Sequence, residues 1–233
     1  MMFKKKTIKI EAYAPTGSLI DFFPITTAKE ALPQWYHNLP KEYSKYNTVK
    51  HCAGIRDLFS TGFIIPSWGE YDITVTPTGE ALIDSPVVQL QGHSSQHHVD
   101  EEAPGAWPGY TNVKLHNPWW FWCDTPLKWM LIGPAWNQQD PQQYTTIPGI
   151  VEFRYNHQAN VNTLFKIQKN NYVTKIKPGD ALLHMIPITE LSCEIELKVM
   201  TDDVYTNKFA GWQHSFNLGY QKIRNIMDKR NKL

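Results

Sequence analysis

The sequence predicts a mainly β fold, an antiparallel β-clip or jelly-roll-like domain with short N-terminal helices and a C-terminal amphipathic helix. Three observations predict it. Short apolar or alternating runs recur between residues 63 and 199, many of them bounded by Gly, Pro, Asn or Asp. Nine tryptophans supply the bulk that a broad sheet core requires. The turn Pro178-Gly179-Asp180 separates two apolar runs, 172–176 and 181–188, in the manner of a β-hairpin, with Gly179 able to take a positive φ at little steric cost.

The elements follow in order. Residues 7–13 alternate as a strand, with Ile8, Ile10 and Ala12 on one face. A helix of a turn or two is expected in Thr26 to Leu32, with a Thr as N-cap and Ala28 to Leu32 as helix formers, ended by Pro33. Residues 52–62 form a short helix with Gly62 at its C′ position, followed by a strand over 63–66. Two strands, 71–75 and 81–83 with a continuation to 90, flank the turn at Thr76-Pro77-Thr78-Gly79. Residues 92–110 are polar, acidic and rich in Pro and Gly, and read as one long loop. Strands resume at 112–115, 119–122, 128–132, 149–155, 164–167, 172–176, 181–186 and 193–199. In the last, Cys193, Ile195, Leu197 and Val199 form the buried face against Glu194, Glu196 and Lys198. A helix over 213–229 carries Phe216, Tyr220, Ile223 and Met227 on one stripe, which must dock on a sheet or a neighbouring subunit. The whole of 1–233 reads as a single domain with its core over roughly 48–200.

Composition narrows the function classes. Twenty-three Lys and Arg stand against 22 Asp and Glu, for a net charge of +1. No global field therefore draws the chain to nucleic acid, nonspecific nucleic-acid binding is disfavoured, and any such contact needs a local patch. The three cysteines, Cys52, Cys123 and Cys193, have no CxxC spacing, which argues against a disulfide framework or a zinc knot and for buried structural thiols. No apolar run is long enough for a membrane helix, and the basic start lacks the apolar stretch of a signal peptide. The expected location is the cytoplasm, that of the host if the gene is viral, with no membrane partner.

A family resemblance rests on Asn117-Pro118-Trp119, Thr125-Pro126, Gly149-Ile150-Val151 and the run from Gly179 to Pro187, preceded by Gly54-Ile55-Arg56-Asp57 and the run from Thr61 to Pro66. On these residues the chain resembles an uncharacterised family found in myovirus-type phages of marine cyanobacteria and in some bacteria. The resemblance implies a phage origin and no particular chemistry. A fainter likeness, carried by residues 149–155 and 176–186, is to the dUTPase and dCTP-deaminase superfamily of trimeric β-clip proteins. It implies a water-activating carboxylate at Glu152. Where that superfamily has a Pro-Arg-Ser-Gly turn for phosphate, this chain has Pro134, Ala135, Trp136 and Asn137, without the guanidinium and hydroxyl that hold a triphosphate.

Three sets of candidate residues come from the pattern itself. His93, His97, His98 and Asp100 offer imidazole and carboxylate ligands suited to Fe, Zn or Ni, and His98-Val99-Asp100 matches the His-x-Asp pair of jelly-roll iron oxygenases, with His184 as a third ligand. The alternative is a solvated polar loop and no cofactor. Trp107, Trp119, Trp120, Trp122, Trp129 and Trp136 form either a core or a stacking surface for a sugar or a small molecule. Alternation over 119–122 is expected to separate Trp120 from Trp119 and Trp122, so that not every indole is inside. Glu152 and Arg154 share one side of their strand, as an ion pair or as a catalytic acid with its partner. The preferred expectation is a non-enzymatic phage protein acting through protein surfaces, by self-association, with trimers the precedent on the resembled scaffold, or by contact with other phage proteins. The alternatives are a hydrolase-like or metal-dependent oxygenase-like enzyme on the same scaffold, and a carbohydrate or small-molecule binding module.

Overall fold

Residues 7–43, 45–85, 95–98, 107–134, 136, 144–209, 222, 225 and 229 are described by the computed structural model, 95–98 by their backbone alone. The strands in chain order are β1 (Thr7–Ala14), β2 (Thr26–Thr27), β3 (Glu42–Tyr43), β4 (Tyr46–Asn47), β5 (Phe63–Pro66), β6 (Tyr71–Val75), β7 (Ala81–Asp84) and β8 (Ser95–His98). They continue as β9 (Tyr110–Leu115), β10 (Trp120–Trp122), β11 (Lys128–Ile132), β12 (Tyr144–Thr146), β13 (Gly149–Glu152), β14 (Val161–Lys166), β15 (Tyr172–Ile176), β16 (Ala181–Pro187) and β17 (Ser192–Val199). Helices α1 (Gly17–Phe22), α2 (Gln34–Asn38) and α3 (Ala53–Ser60) lie near the N-terminus, as expected.

The fold is mainly β, built from antiparallel sheets in the manner of a sandwich or jelly roll. Its sheets run β10-β1-β17, β13-β11-β16-β5-β2, β12-β14-β9-β8 and β15-β6-β7, with β3 and β4 as a separate hairpin. One pairing is parallel, β1 on β17, in register from Thr7 opposite Ser192 to Ala14 opposite Val199. A single apolar cluster draws on all four sheets: Ile8 and Ile10, Phe63 and Trp129, Val113 and Phe165, Tyr71 and Ile176. Alternation explains each pair of faces. In β6, Tyr71, Ile73 and Val75 are buried while Asp72 and Thr74 are not.

The corner at Gly179 departs from the hairpin expected there. Gly179 has φ +88, but the runs on either side do not pair with each other. β15 pairs with β6, and β16 pairs with β5 and β11. Two long antiparallel ribbons, β5 into β6 and β15 into β16, turn together from one sheet to the next. Their corners are tied by Ser67 N–H donating to Asp180 O at 2.7 Å and Gly179 N–H donating to Ser67 O at 2.8 Å. A turn signal in the sequence reports the bend of one chain; it does not say which strands face each other.

Other expectations need correction. Thr26 belongs to β2, and Thr27 caps the single turn that follows: Glu30 N–H donates to Thr27 Oγ1, while the Glu30 carboxylate accepts from Thr27 N–H and Oγ1–H. The loop expected over 92–110 contains β8, paired with β9. Val199 is exposed, because β17 is an edge strand whose last residue reaches past the core. Cys52 is exposed at the start of α3, Cys193 is half-buried, and only Cys123 is a buried thiol. The strand continuation over 86–90 lies outside the described residues, as do Phe216, Tyr220, Ile223 and Met227. Lys222, Asn225 and Lys229 are helical and exposed. Among the described residues no helix is long and apolar enough to cross a membrane.

Candidate functional site

The six tryptophans do not form one platform. Trp119 and Trp129 are buried in the core, so they are not part of any exposed surface. Trp120 and Trp122 share the other face of β10, with Phe121 between them in the core, because a period of two unites positions two apart; the expected separation of these two indoles does not hold. Trp136 packs on the five-stranded sheet, 4.6 Å from the Phe59 ring centroid and 5.7 Å from that of His184. Trp107, next to β9, is exposed.

His184 lies on β16, fully buried beneath Trp136, with its Nε2–H donating to Thr61 O at 2.7 Å. That bond leaves Nδ1 as the bare nitrogen, without a hydrogen-bond partner among the described residues. Burial holds this imidazole below its ordinary pKa, the Thr61 carbonyl opposing in part. His97 and His98 belong to β8 in a different sheet from His184, and their side chains, with His93 and Asp100, lie outside what is described. Among the described residues no three His, Cys, Asp or Glu side chains are grouped as metal ligands.

Glu152, the last residue of β13, is 5% exposed, and its carboxylate accepts from Arg154 Nε at 2.6 Å and also pairs with Arg154 Nη2. The chain turns there, with Tyr155 and Asn156 N–H both donating to Glu152 O, which folds Arg154 back over the carboxylate. The pairing of Glu152 and Arg154 read from alternation is therefore present as an ion pair closed by a turn.

The outer face of the three-stranded sheet holds a cluster that the sequence did not signal. Thr201 caps a helical turn, Asp202–Val204, that continues as a π-helical turn over Tyr205–Phe209. This segment lays Phe209, fully buried, among Tyr13, Trp120, Trp122 and His157, with ring centroids 5.0 to 6.0 Å away. Trp122 stacks on His157 at 5.3 Å, and His157 Nδ1–H donates to Phe121 O at 3.0 Å. Beside the rings, Glu11 accepts from Lys198 at 2.5 Å, from Tyr13 at 2.9 Å and from Lys208. Burial raises the Glu11 pKa, but these hydrogen bonds outweigh it and hold the carboxyl at about 2. The aromatic box is filled by the chain's own phenylalanine, so it acts as a docking point for residues 202–209.

His157 makes this docking acid-sensitive. Burial pushes its pKa down to about 4 from 6.5, against the opposing carbonyls of Phe121 and Phe153. The unfolded chain binds the proton first as pH falls, so the stability that His157 contributes is complete above its unfolded pKa of 6.5 and is lost between 6.5 and about 4. The total is about 3 kcal/mol for a shift of this size. Thermal melting is expected to be flat above about pH 7 and to fall through that window, and the fall should be shallower in His157→Gln. Equal pH slopes for the two proteins would rule out this assignment.

The remaining surface with functional character is the outer face of the five-stranded sheet. One row across it, Ile132, His184 and Ile64, is covered by Trp136 and the segment around Ala28. The next row is half-buried at Met130 and Ile186 and opens to solvent at Ile150. Ile150 on β13, Met130 on β11 and Ile186 on β16 are direct neighbours in register, and Ile188 lies beside Lys128. Ile150 is 64% exposed and Ile188 50%. Among the described residues β13 has no strand on its outer side. The exposed Lys128 lies beside Ile188, and an apolar row next to a sheet edge that is unpaired among the described residues is suited to association. Sequence reasoning missed it because attention went to Glu152 on the same strand; the signal was Ile150, which shares its parity.

Comparison with protein-family models gave no match, and none was found among curated proteins.

Proposed function

We propose that this chain is a non-enzymatic protein that works by joining a second copy of itself through the open end of the five-stranded sheet. The observation that carries this reading is the apolar row Ile150, Met130 and Ile186, exposed at Ile150, next to the edge of β13 that has no partner strand among the described residues. An antiparallel pairing of β13 with its own copy is self-complementary, extends the sheet, and brings the two apolar rows together under a twofold axis. Two further features favour binding over catalysis: the Glu152 carboxylate is closed off by Arg154, and the ring cluster on the other sheet is filled by Phe209. The resemblance to a cyanophage family supports a setting in a virion or in the cytoplasm of the infected host.

Light scattering coupled to size exclusion tests the reading. The wild-type chain is expected to run as a dimer or larger in the micromolar range, and Ile150→Asp as a monomer that melts within a degree or two of wild type, since the side chain it replaces is largely exposed. A wild-type monomer throughout that range would overturn the proposal.

A further inference from the structure

The β3–β4 hairpin is a second surface, independent of the sheet edge. Tyr43 and Tyr46 face each other across it and are 74% and 77% exposed, the most exposed aromatic side chains named here. Directly opposed residues on paired strands project to the same side, so both exposed rings lie on one side of the hairpin. The hairpin is held at its base rather than at its tip. Thr48 N–H donates to Lys41 O at 3.0 Å, and Thr48 Oγ1–H donates to Pro40 O at 2.6 Å. Lys50 Nζ donates to His37 O at 3.1 Å and lies over the Tyr36 ring, tying the base to α2.

The charge around the two rings is one-sided. Between 41 and 51 stand Lys41, Lys45 and Lys50 against the single acid Glu42, with Lys41 and Lys45 exposed, whereas the whole chain is nearly neutral. The exposed aliphatic Val49 stands beyond Thr48 at the base of the hairpin, and no aliphatic residue lies between the tyrosines in the sequence. Exposed rings set among lysines suit a partner that has flat stacking faces and a regular negative backbone. We infer that the β3–β4 hairpin binds single-stranded nucleic acid, with Tyr43 and Tyr46 stacking on bases and Lys41 and Lys45 meeting phosphates. This is the local patch that a chain with no global positive field would need.

Fluorescence anisotropy with fluorescein-labelled oligo(dT) and oligo(rU) tests it, using the full chain. Binding is expected at low salt and should weaken steeply as salt is raised. Tyr43→Ala with Tyr46→Ala should weaken binding by about tenfold or more, the scale of one stacked base, while Tyr43→Phe with Tyr46→Phe keeps it. Lys41→Glu with Lys45→Glu should weaken binding and flatten its salt dependence. The replaced groups are exposed, so the melting temperature should not move. No binding at low salt would overturn the inference. So would unchanged affinity in the double alanine variant, equal loss in the double phenylalanine variant, or competition by heparin as effective as by the oligonucleotide, which would show a charge effect without stacking.

Discussion

Gly62→Ala should destabilise the fold by about 3–5 kcal/mol, combining backbone strain with overpacking. Gly62 sits at φ +84 immediately after α3, where an L side chain is strained. A Cβ there would lie 2.2 Å from Met185 O and 3.1 Å from Ile186 Cα, both backbone atoms of β16. A side-chain tip can swing aside; a strand in the middle of a five-stranded sheet cannot move without carrying β5 and β11 with it. Gly62 O also accepts from Ala28 N–H at 2.9 Å, so the displacement would reach the turn capped by Thr27. For a chain of this size, a fall in melting temperature of roughly 10 °C follows, or loss of soluble protein. Gly179→Ala is the control: φ is +88 there too, but nothing lies within 4 Å of the added carbon, so only the strain of about 1–2 kcal/mol applies. Differential scanning fluorimetry reads both, and equal shifts for the two variants would show that the contact with Met185 is not the cause.

The same glycine shows how far the sequence could be read. Gly62 after a helical run and before Phe63-Ile64-Ile65 marked a C′ position and a strand start, because helix ending and strand alternation are local properties. Most strands between 63 and 199 were legible on that ground. Pairing was not. The β15–β16 corner has the residues of a hairpin, yet its strands belong to different sheets, since partner choice depends on β5 and β6 more than a hundred positions earlier. The parallel pairing of β1 with β17 joins the two ends of the described core and has no local signal at all.

The candidate sites divide in the same way. Glu152 and Arg154 were legible as neighbours from alternation, but the strand ends at Glu152 and it is the following turn that brings Arg154 onto the carboxylate. The tryptophans were legible as bulk but not as a group, because strand parity and sheet membership scatter them over two core positions and two outer faces. The row of Ile150, Met130 and Ile186 comes from three strands whose order in space is not their order in sequence, so it became visible only with the register. The pair Tyr43 and Tyr46 is different: both residues are local, and a two-residue connection between them could have been read as a hairpin. The Pro and Lys residues around it hid the strands, which are only two residues each.

Phe209→Ala should be the second large effect, and it tests how the chain is closed after β17. Phe209 is fully buried between Tyr13, Trp120, Trp122 and His157, so truncation removes a whole ring from a site with little freedom to collapse, at about 3–5 kcal/mol. The neighbouring charges matter less. Lys208 and Glu11 are each partly open to solvent, and the exposed share of such a network is screened, so Lys208→Met should cost about 1 kcal/mol or less. The order of the two effects therefore separates ring packing from ion pairing as the force that docks residues 202–209. Loss of the ring need not unfold the whole domain, because a segment outside the sheets can open by itself. Two readings are thus needed: the melting temperature, expected to fall by roughly 10 °C if the segment unfolds with the core, and quenching of tryptophan emission, expected to rise in either case as Trp120 and Trp122 meet solvent. If Phe209→Ala left both unchanged while Lys208→Met disturbed them, docking would rest on the charges around Glu11 and the aromatic box would be incidental.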